Sequence, residues 1–165
     1  MRHFRFKYLE EIEECARLVG AAHVRFEHDR QKVRTLLARK VRVGNFTLGN
    51  SIAIHPMEGC DGTPEGRPDD LTWRRYRRFA SGGAKLLWFE ATAVRGDGRA
   101  NPRQLWLRPQ TMADFARLLE AVRREHAQCA GSSDDLLEVL QLTHSGRYSA
   151  GRRVIACHNP AVDCK

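Results

Sequence analysis

The sequence predicts an α/β fold with a parallel sheet, assembled from repeated strand–helix units. Three observations predict it. Apolar runs of strand length begin at Ser51, at Lys85 and at Leu137. Each run ends in polar or turn-forming residues, and a helical pattern separates each run from the next. Ligands in such folds gather at the carboxyl ends of the strands, where these runs carry HPMEGCD, EATAV and QLTHSGR.

Composition narrows the class. A chain of 165 residues, 42% of them hydrophobic, supports one domain with a core, not two of good size, and is neither fibrous nor disordered. No apolar run approaches the ~18 residues of a membrane span. The N-terminus MRHFRFKYLEEIEECARL has basic residues but no apolar signal core behind them, so a cytoplasmic location is expected. Net charge is +8, with 23 Arg against 5 Lys. The basic residues are interleaved with acids rather than gathered in a tail. In the densest group, Trp73, Tyr76 and Phe79 fall three apart on one helical face, with Arg74, Arg75, Arg77 and Arg78 around them. A solvated helix face outweighs a nucleic-acid surface on that pattern. The five cysteines are scattered and make no CxxC, so reduced thiols and no metal site are expected.

In chain order, residues 1–43 read as a charged helical extension. Leu9, Ile12, Ala16 and Val19 share one helical face, and weaker helical potential follows at 33–38. GNFTLGN (44–50) opens the domain as a turn-rich lead-in with room for a small hairpin. The first strand, 51–54, stops at His55-Pro56, because proline has no N–H for a ladder. The loop 58–70 is rich in Gly, Pro and Asp. Asp69 or Asp70 caps a helix over 71–80, and Ser81-Gly82-Gly83 ends it. The second strand, 85–89, leads into Glu90-Ala91-Thr92, and a loop over 95–108 follows, tied to the rim of the sheet. Thr111 and Asp114 have capping-box spacing. Met112, Phe115, Leu118, Leu119 and Val122 then form a helical stripe, with His126 expected near an exposed helix C-terminus. The third strand runs from Leu137, and the chain after Arg147 reads as loop.

Alternation places Val139, Gln141 and Thr143 on one face of the third strand, with Leu140 and Leu142 packing under helices. It places Leu87, Phe89 and Ala91 together on the second, smallest residue last. Gln141 can serve a heterocycle bearing N–H and C=O groups, or equally a neighbouring strand's backbone. Ala91 can admit a flat ring or simply pack. His55-Pro56-Met57 makes a rigid bend beside a polarisable thioether. His144 reads as a structural histidine, and Arg147 as a phosphate contact or a surface ion pair. Glu90 would be costly to bury alone, so a partner such as Arg99 is expected.

Taken together, PM after the first strand, EATAV…GR after the second and QLTHSGR at the third resemble the old yellow enzyme family of FMN-dependent oxidoreductases. Ala80-Ser81-Gly82-Gly83-Ala84 before the second strand adds to the likeness, which covers about 41–147. The resemblance implies a (β/α)₈ TIM barrel, of which residues 44–165 hold about the first three βα units. It implies that His55, Pro56, Met57 and Glu58 run along an FMN ring, that Ala91 lies by its polar edge and that Gln141 bonds its pyrimidine part. Cys60 would line the substrate pocket. Glu58 departs from relatives that have Thr or Cys there, and a carboxylate disfavours an anionic reduced flavin unless protonated or paired.

The implied activity is reduction of activated C=C bonds, as in ene-reductases and dienoyl-CoA reductases. NADH or NADPH would be the reductant and a small alkene or enoyl compound the substrate, with no nucleic-acid or membrane partner. A full barrel of this kind takes roughly 250 residues and eight strands. The catalytic acid, the substrate-anchoring pair, the phosphate grip and any iron–sulfur cysteines are therefore expected beyond Lys165. The remaining barrel segment would lie in the same or a separate chain, and this portion is expected to be inactive alone. Two other readings stand beside this one: a non-catalytic truncated barrel module binding an acidic partner, and a barrel for another phosphate-bearing ligand.

Overall fold

The computed structural model describes residues 6–21, 23–24, 26–151, 153, 155 and 157–161. The chain forms two compact units, 1–38 and 39–165. In the first, helices α1 (Leu9–Leu18) and α2 (Arg30–Leu37) sit at the two stretches with helical spacing. Asp29 caps α2 by accepting from the Gln31 and Lys32 amides. His28 Nε2 and Glu13 Oε1 lie 2.9 Å apart within this unit.

The second unit opens with a hairpin of β1 (Val41–Val43) and β2 (Phe46–Leu48), antiparallel about a Gly44-Asn45 turn. Gly44 sits at φ 58°, the left-handed conformation such a two-residue turn requires. Strand β3 (Ala53–Ile54), helix α3 (Asp70–Ser81), strand β4 (Leu86–Ala93), helix α4 (Met112–Ala130) and strand β5 (Leu137–Thr143) follow. The last three strands make a parallel sheet in the order β3-β4-β5. Among the described residues no helix is long and apolar enough to cross a membrane.

Asp69 starts α3 with a capping box, its carboxylate accepting from the Asp70 amide at 2.9 Å and the Thr72 hydroxyl facing the Asp69 amide. The expected box at α4 does not form. Thr111 already has helical backbone angles, so its hydroxyl turns back and donates to the Trp106 carbonyl at 2.7 Å. Asp114 instead pairs with Arg67 and Arg117. Gly131, at φ 81°, ends α4.

The core lies between one face of the sheet and the two helices. Tyr76 and Ala80 from α3, Leu87 and Phe89 from β4, and Leu118 and Val122 from α4 are all buried there. Tyr76 stacks on Phe89 with ring centroids 4.4 Å apart and meets Phe79 edge-on at 5.8 Å. His126 is fully buried rather than at an exposed end, because α4 packs along α3 there. Its Nδ1 donates to the Ala80 carbonyl at 2.9 Å. The arginine-rich helix divides: Arg74, Arg77 and Arg78 are solvated, while Arg75 turns inward.

The opposite face of the sheet is open. Trp88, between the core residues Leu87 and Phe89, is 40% exposed. Leu142 is 57% exposed rather than packed under a helix, since α4 covers β5 only as far as Leu140.

A bulge at the tip of the central strand

Strands β4 and β5 pair in register from Leu86–Leu137 to Phe89–Leu140, and pairing resumes at Thr92–Leu142. Three steps on β4 thus answer two on β5, so β4 carries one extra residue at Glu90-Ala91 opposite Gln141. The extra residue interrupts simple alternation at the strand tip. Leu87 and Phe89 point to the helices, and Glu90 does too, since its carboxylate meets Tyr76 and Arg75 of α3. Ala91, next along the bulge, is buried at 8% exposure, while Trp88 is 40% exposed. Leu87, Phe89 and Ala91 are all buried, but the bulge breaks the simple alternation that places them on one face. On β5, Leu140 packs toward the helices, so Gln141 stands on the open face opposite the bulge.

Side chains take the backbone groups that the bulge removes from the ladder. The Tyr76 hydroxyl accepts from the Glu90 amide at 2.7 Å and faces the Glu90 carboxylate at 3.3 Å. Thr92 Oγ1 donates to the Glu90 carbonyl at 3.0 Å, and Gln104 Nε2 donates to the Ala91 carbonyl at 3.0 Å. Gln104 Oε1 accepts from the Ala100 amide at 2.6 Å, which holds the amide group in place. These three side chains, and that of Glu90, are at most 2% exposed.

The partner of Glu90 is Arg75, not Arg99. Arg75 Nη2 lies 2.6 Å from Glu90 Oε1 and 2.8 Å from Asp61 Oδ1. Burial opposes the Arg75 charge, but the hydrogen bonds to Asp61 and Glu90 outweigh it and raise the guanidinium pKa. Burial likewise pushes Asp61 up, and the bonds from Arg75 and Thr72 overcome it, holding the carboxyl below its usual range. Burial raises the Tyr76 phenol, and the Glu90 charge adds to it. Arg99 spends its guanidinium on the carbonyls of Pro64, Pro102 and Gln104, locking the loop after β4 to the loop after β3.

The turn after β3 reaches the same place. The Met57 amide donates to the His55 carbonyl at 2.9 Å across Pro56, and the Gly59 amide donates to Glu90 Oε2 at 3.1 Å. His55 and Glu58 are exposed, Pro56 is half-buried and Met57 is 72% exposed. Burial and the nearby Glu90 charge push the Glu58 carboxyl up, and Gln104 Nε2 lies 3.5 Å from its Oε1. Cys60 takes φ 49° and its sulfur accepts from Asn101 Nδ2 at 3.1 Å. Burial, then the charges of Glu58 and Glu90, raises its thiol pKa. His144 ties the end of β5 to the turn at 96–98, its ring against Gly98 and its Nδ1 accepting from the Gly146 amide at 3.1 Å. The four described cysteines are free thiols, and among the described residues no group of His, Cys, Asp and Glu could hold a metal ion.

The structure therefore links Glu58 and Ala91 through Gln104, and sets Gln141 across from Ala91. Sequence reasoning missed Tyr76, Arg75, Thr92 and Gln104. A buried Glu90 announced the need for a cation, but nothing in residue spacing marked the bulge or the distant glutamine that completes it.

No protein-family model matches the chain. It is 30% identical over 119 residues to an NADPH dehydrogenase of Geobacillus sp. (strain WCH70), a match covering 71% of this chain and 32% of that protein. The old yellow enzyme from Trypanosoma cruzi aligns with a TM-score of 0.61 at 23% identity, over 78% of this chain and 36% of the other. The old yellow enzyme homologue from Zymomonas mobilis aligns at 0.54 with 26% identity, over 67% of this chain and 28% of the other. The chain spans about a third of the length of these relatives. The fold is α/β, and the proteins it matches are named as an NADPH dehydrogenase and old yellow enzymes. Over most of its own length and part of theirs, the chain resembles the old yellow enzymes.

Proposed function

We propose that the chain forms the ring-facing wall of an FMN-binding (β/α)₈ barrel in an NAD(P)H-dependent oxidoreductase that reduces activated C=C bonds. The observation that supports this most is the bulge. It lies opposite Gln141, so the small side chain of Ala91 stands at the strand tip next to the residue proposed to bond the ring. The residue types suit an isoalloxazine: a small alanine at the strand tip, a donor–acceptor amide, and the exposed apolar groups of Met57 and Trp88.

In this reading His55, Pro56, Met57, Glu58, Ala91 and Gln141 hold the ring, and Cys60 lines the substrate pocket. Bound FMN supplies the hydride chemistry, with NADH or NADPH as the source of electrons and a small alkene or enoyl compound as acceptor. Gln141 orients the pyrimidine edge through its amide, and Met57 excludes water from one side. Glu58, its carboxyl pushed up by burial and by Glu90, keeps its proton more readily than an ordinary glutamate. Cys60, its thiol raised, serves as a neutral lining group and not as a nucleophile.

Strands β3 and β5 are the two edges of the sheet. Further strands and helices of the barrel, in the same or a separate chain, would pair with these edges and cover Trp88 and Leu142. The catalytic acid, the phosphate grip and any iron–sulfur cluster belong to that segment. The unit that ends at residue 38 serves as a helical extension, and the location is cytoplasmic.

Lumiflavin, which has the ring and no phosphate, tests the wall by itself. Titration into the chain should quench flavin fluorescence saturably, with a Kd below about 1 mM, and Gln141→Ala should weaken it. Absence of saturable binding by the unaltered chain would overturn the reading.

A further inference from the structure

We infer that Tyr76, Glu90 and Gln104 act as positioning residues: they hold the β4 bulge that sets Ala91 at the strand tip opposite Gln141. The inference rests on the functional reading only for what Ala91 meets there. Its structural half stands on hydrogen bonds already described.

A bulge is unfavourable unless the groups it takes out of the ladder find other partners, because an unpaired buried amide or carbonyl costs as much as a lost hydrogen bond. Here three backbone groups at the bulge have dedicated side chains. Tyr76 takes the Glu90 amide, Thr92 the Glu90 carbonyl and Gln104 the Ala91 carbonyl. The Tyr76 hydroxyl also faces the Glu90 carboxylate, so one residue grips both the backbone and the side chain of Glu90. Arg75 and the Gly59 amide hold that carboxylate from the other side. Glu90 is thereby fixed toward α3. Without the clamp, regular alternation after Phe89 would put Glu90 on the open face. The ring seat would then hold a carboxylate.

Gln104 adds a second link. Its amide joins the Ala91 carbonyl to the Ala100 amide and stands 3.5 Å from Glu58. Strand tip, following loop and preceding loop are held by this one buried side chain, so a change there moves Ala91 and Glu58 together.

The test compares the unaltered chain with Tyr76→Phe, Gln104→Leu and the double variant, using isotope-labelled protein. Leu118→Ala serves as a control that weakens the same core without touching the bulge. The cross-strand backbone contacts of Gln141 with Glu90 and Ala91 are read by NMR, and lumiflavin binding is read in parallel. Expected are loss of the Ala91–Gln141 contact pattern in the double variant, a partial shift in each single variant, and no change in Leu118→Ala. Lumiflavin affinity should fall roughly tenfold or more in the same order, as misplacement of a positioning contact demands. If the double variant does not fold, the two single variants decide by the same readouts. Intact contacts in the folded variants overturn the inference. So does an altered bulge with unchanged lumiflavin affinity. If the unaltered chain takes no lumiflavin, the functional reading fails, while the contact pattern still decides whether these residues hold the bulge at Ala91.

Discussion

Gly59 lies so close to Arg75 that a Cβ built on it would sit 2.2 Å from Nη2. The glycine is required by that approach: the guanidinium reaches both Asp61 and Glu90 only because nothing projects from position 59. Gly59→Ala should therefore push Arg75 aside and destabilise the fold by about 1–3 kcal/mol, the usual cost of overpacking. Urea unfolding followed by circular dichroism measures it, and an unchanged midpoint would show that the loop yields freely.

Removal of the cation itself should cost more. Arg75→Ala leaves Glu90, 1% exposed, without its ion pair. The expected loss is about 3–5 kcal/mol, the penalty for stranding one member of a buried pair. Adding Glu90→Gln to that variant should recover part of it, since the neutral amide carries no stranded charge. A double-mutant cycle reads the coupling directly, and simple additivity of the two losses would contradict the pairing.

Acid and base act on this cluster with opposite signs. The folded pKa of Asp61 lies below its ordinary value of 3.8. Its stabilising contribution is complete above that value and fades as the pH falls through the lower folded one. Glu58 is raised above 4.5, so the folded chain binds its proton more tightly than the unfolded chain does. Stability therefore declines as the pH rises from about 4.5 through the folded pKa of Glu58. Glu58→Gln should remove that decline and leave the Asp61 limb at lower pH intact. Unfolding free energies measured across pH 3–8 would test both limbs, and a Glu58→Gln profile parallel to the unaltered one would refute the assignment.

Core packing supplies the frame on which all of this sits. Phe89→Ala removes the ring that stacks on Tyr76, and should cost about 3–5 kcal/mol by loss of burial and creation of a cavity. Met57→Ala, at a side chain 72% exposed, should leave stability nearly unchanged while weakening lumiflavin binding. Equal thermal losses in the two variants would mean that Met57 is packed and not presented to a ligand.

The strand–helix alternation was legible in the residues because period and punctuation are local. Apolar runs of two-residue alternation, a capping aspartate and a terminal glycine act within one turn or one strand, so β3, α3, β4, α4 and β5 could be placed from spacing alone. The polar strand tips were legible for the same reason, and their order along the chain carried the family resemblance. Three things were decided only by tertiary structure. Arg75 and not Arg99 pairs with Glu90, because α3 lies under the strand tip and the 95–108 loop does not. His126 is buried, because α4 packs along α3 at that point. The strand tip at Glu90-Ala91 carries a bulge, whose backbone is satisfied by a tyrosine fourteen residues before Glu90 and a glutamine thirteen residues after Ala91. Alternation can be counted along a strand, but an insertion into it becomes visible only when the partner strand supplies the register. The bulge, and with it the chemistry of the strand tip, depends on hydrogen bonds between residues that the sequence keeps apart.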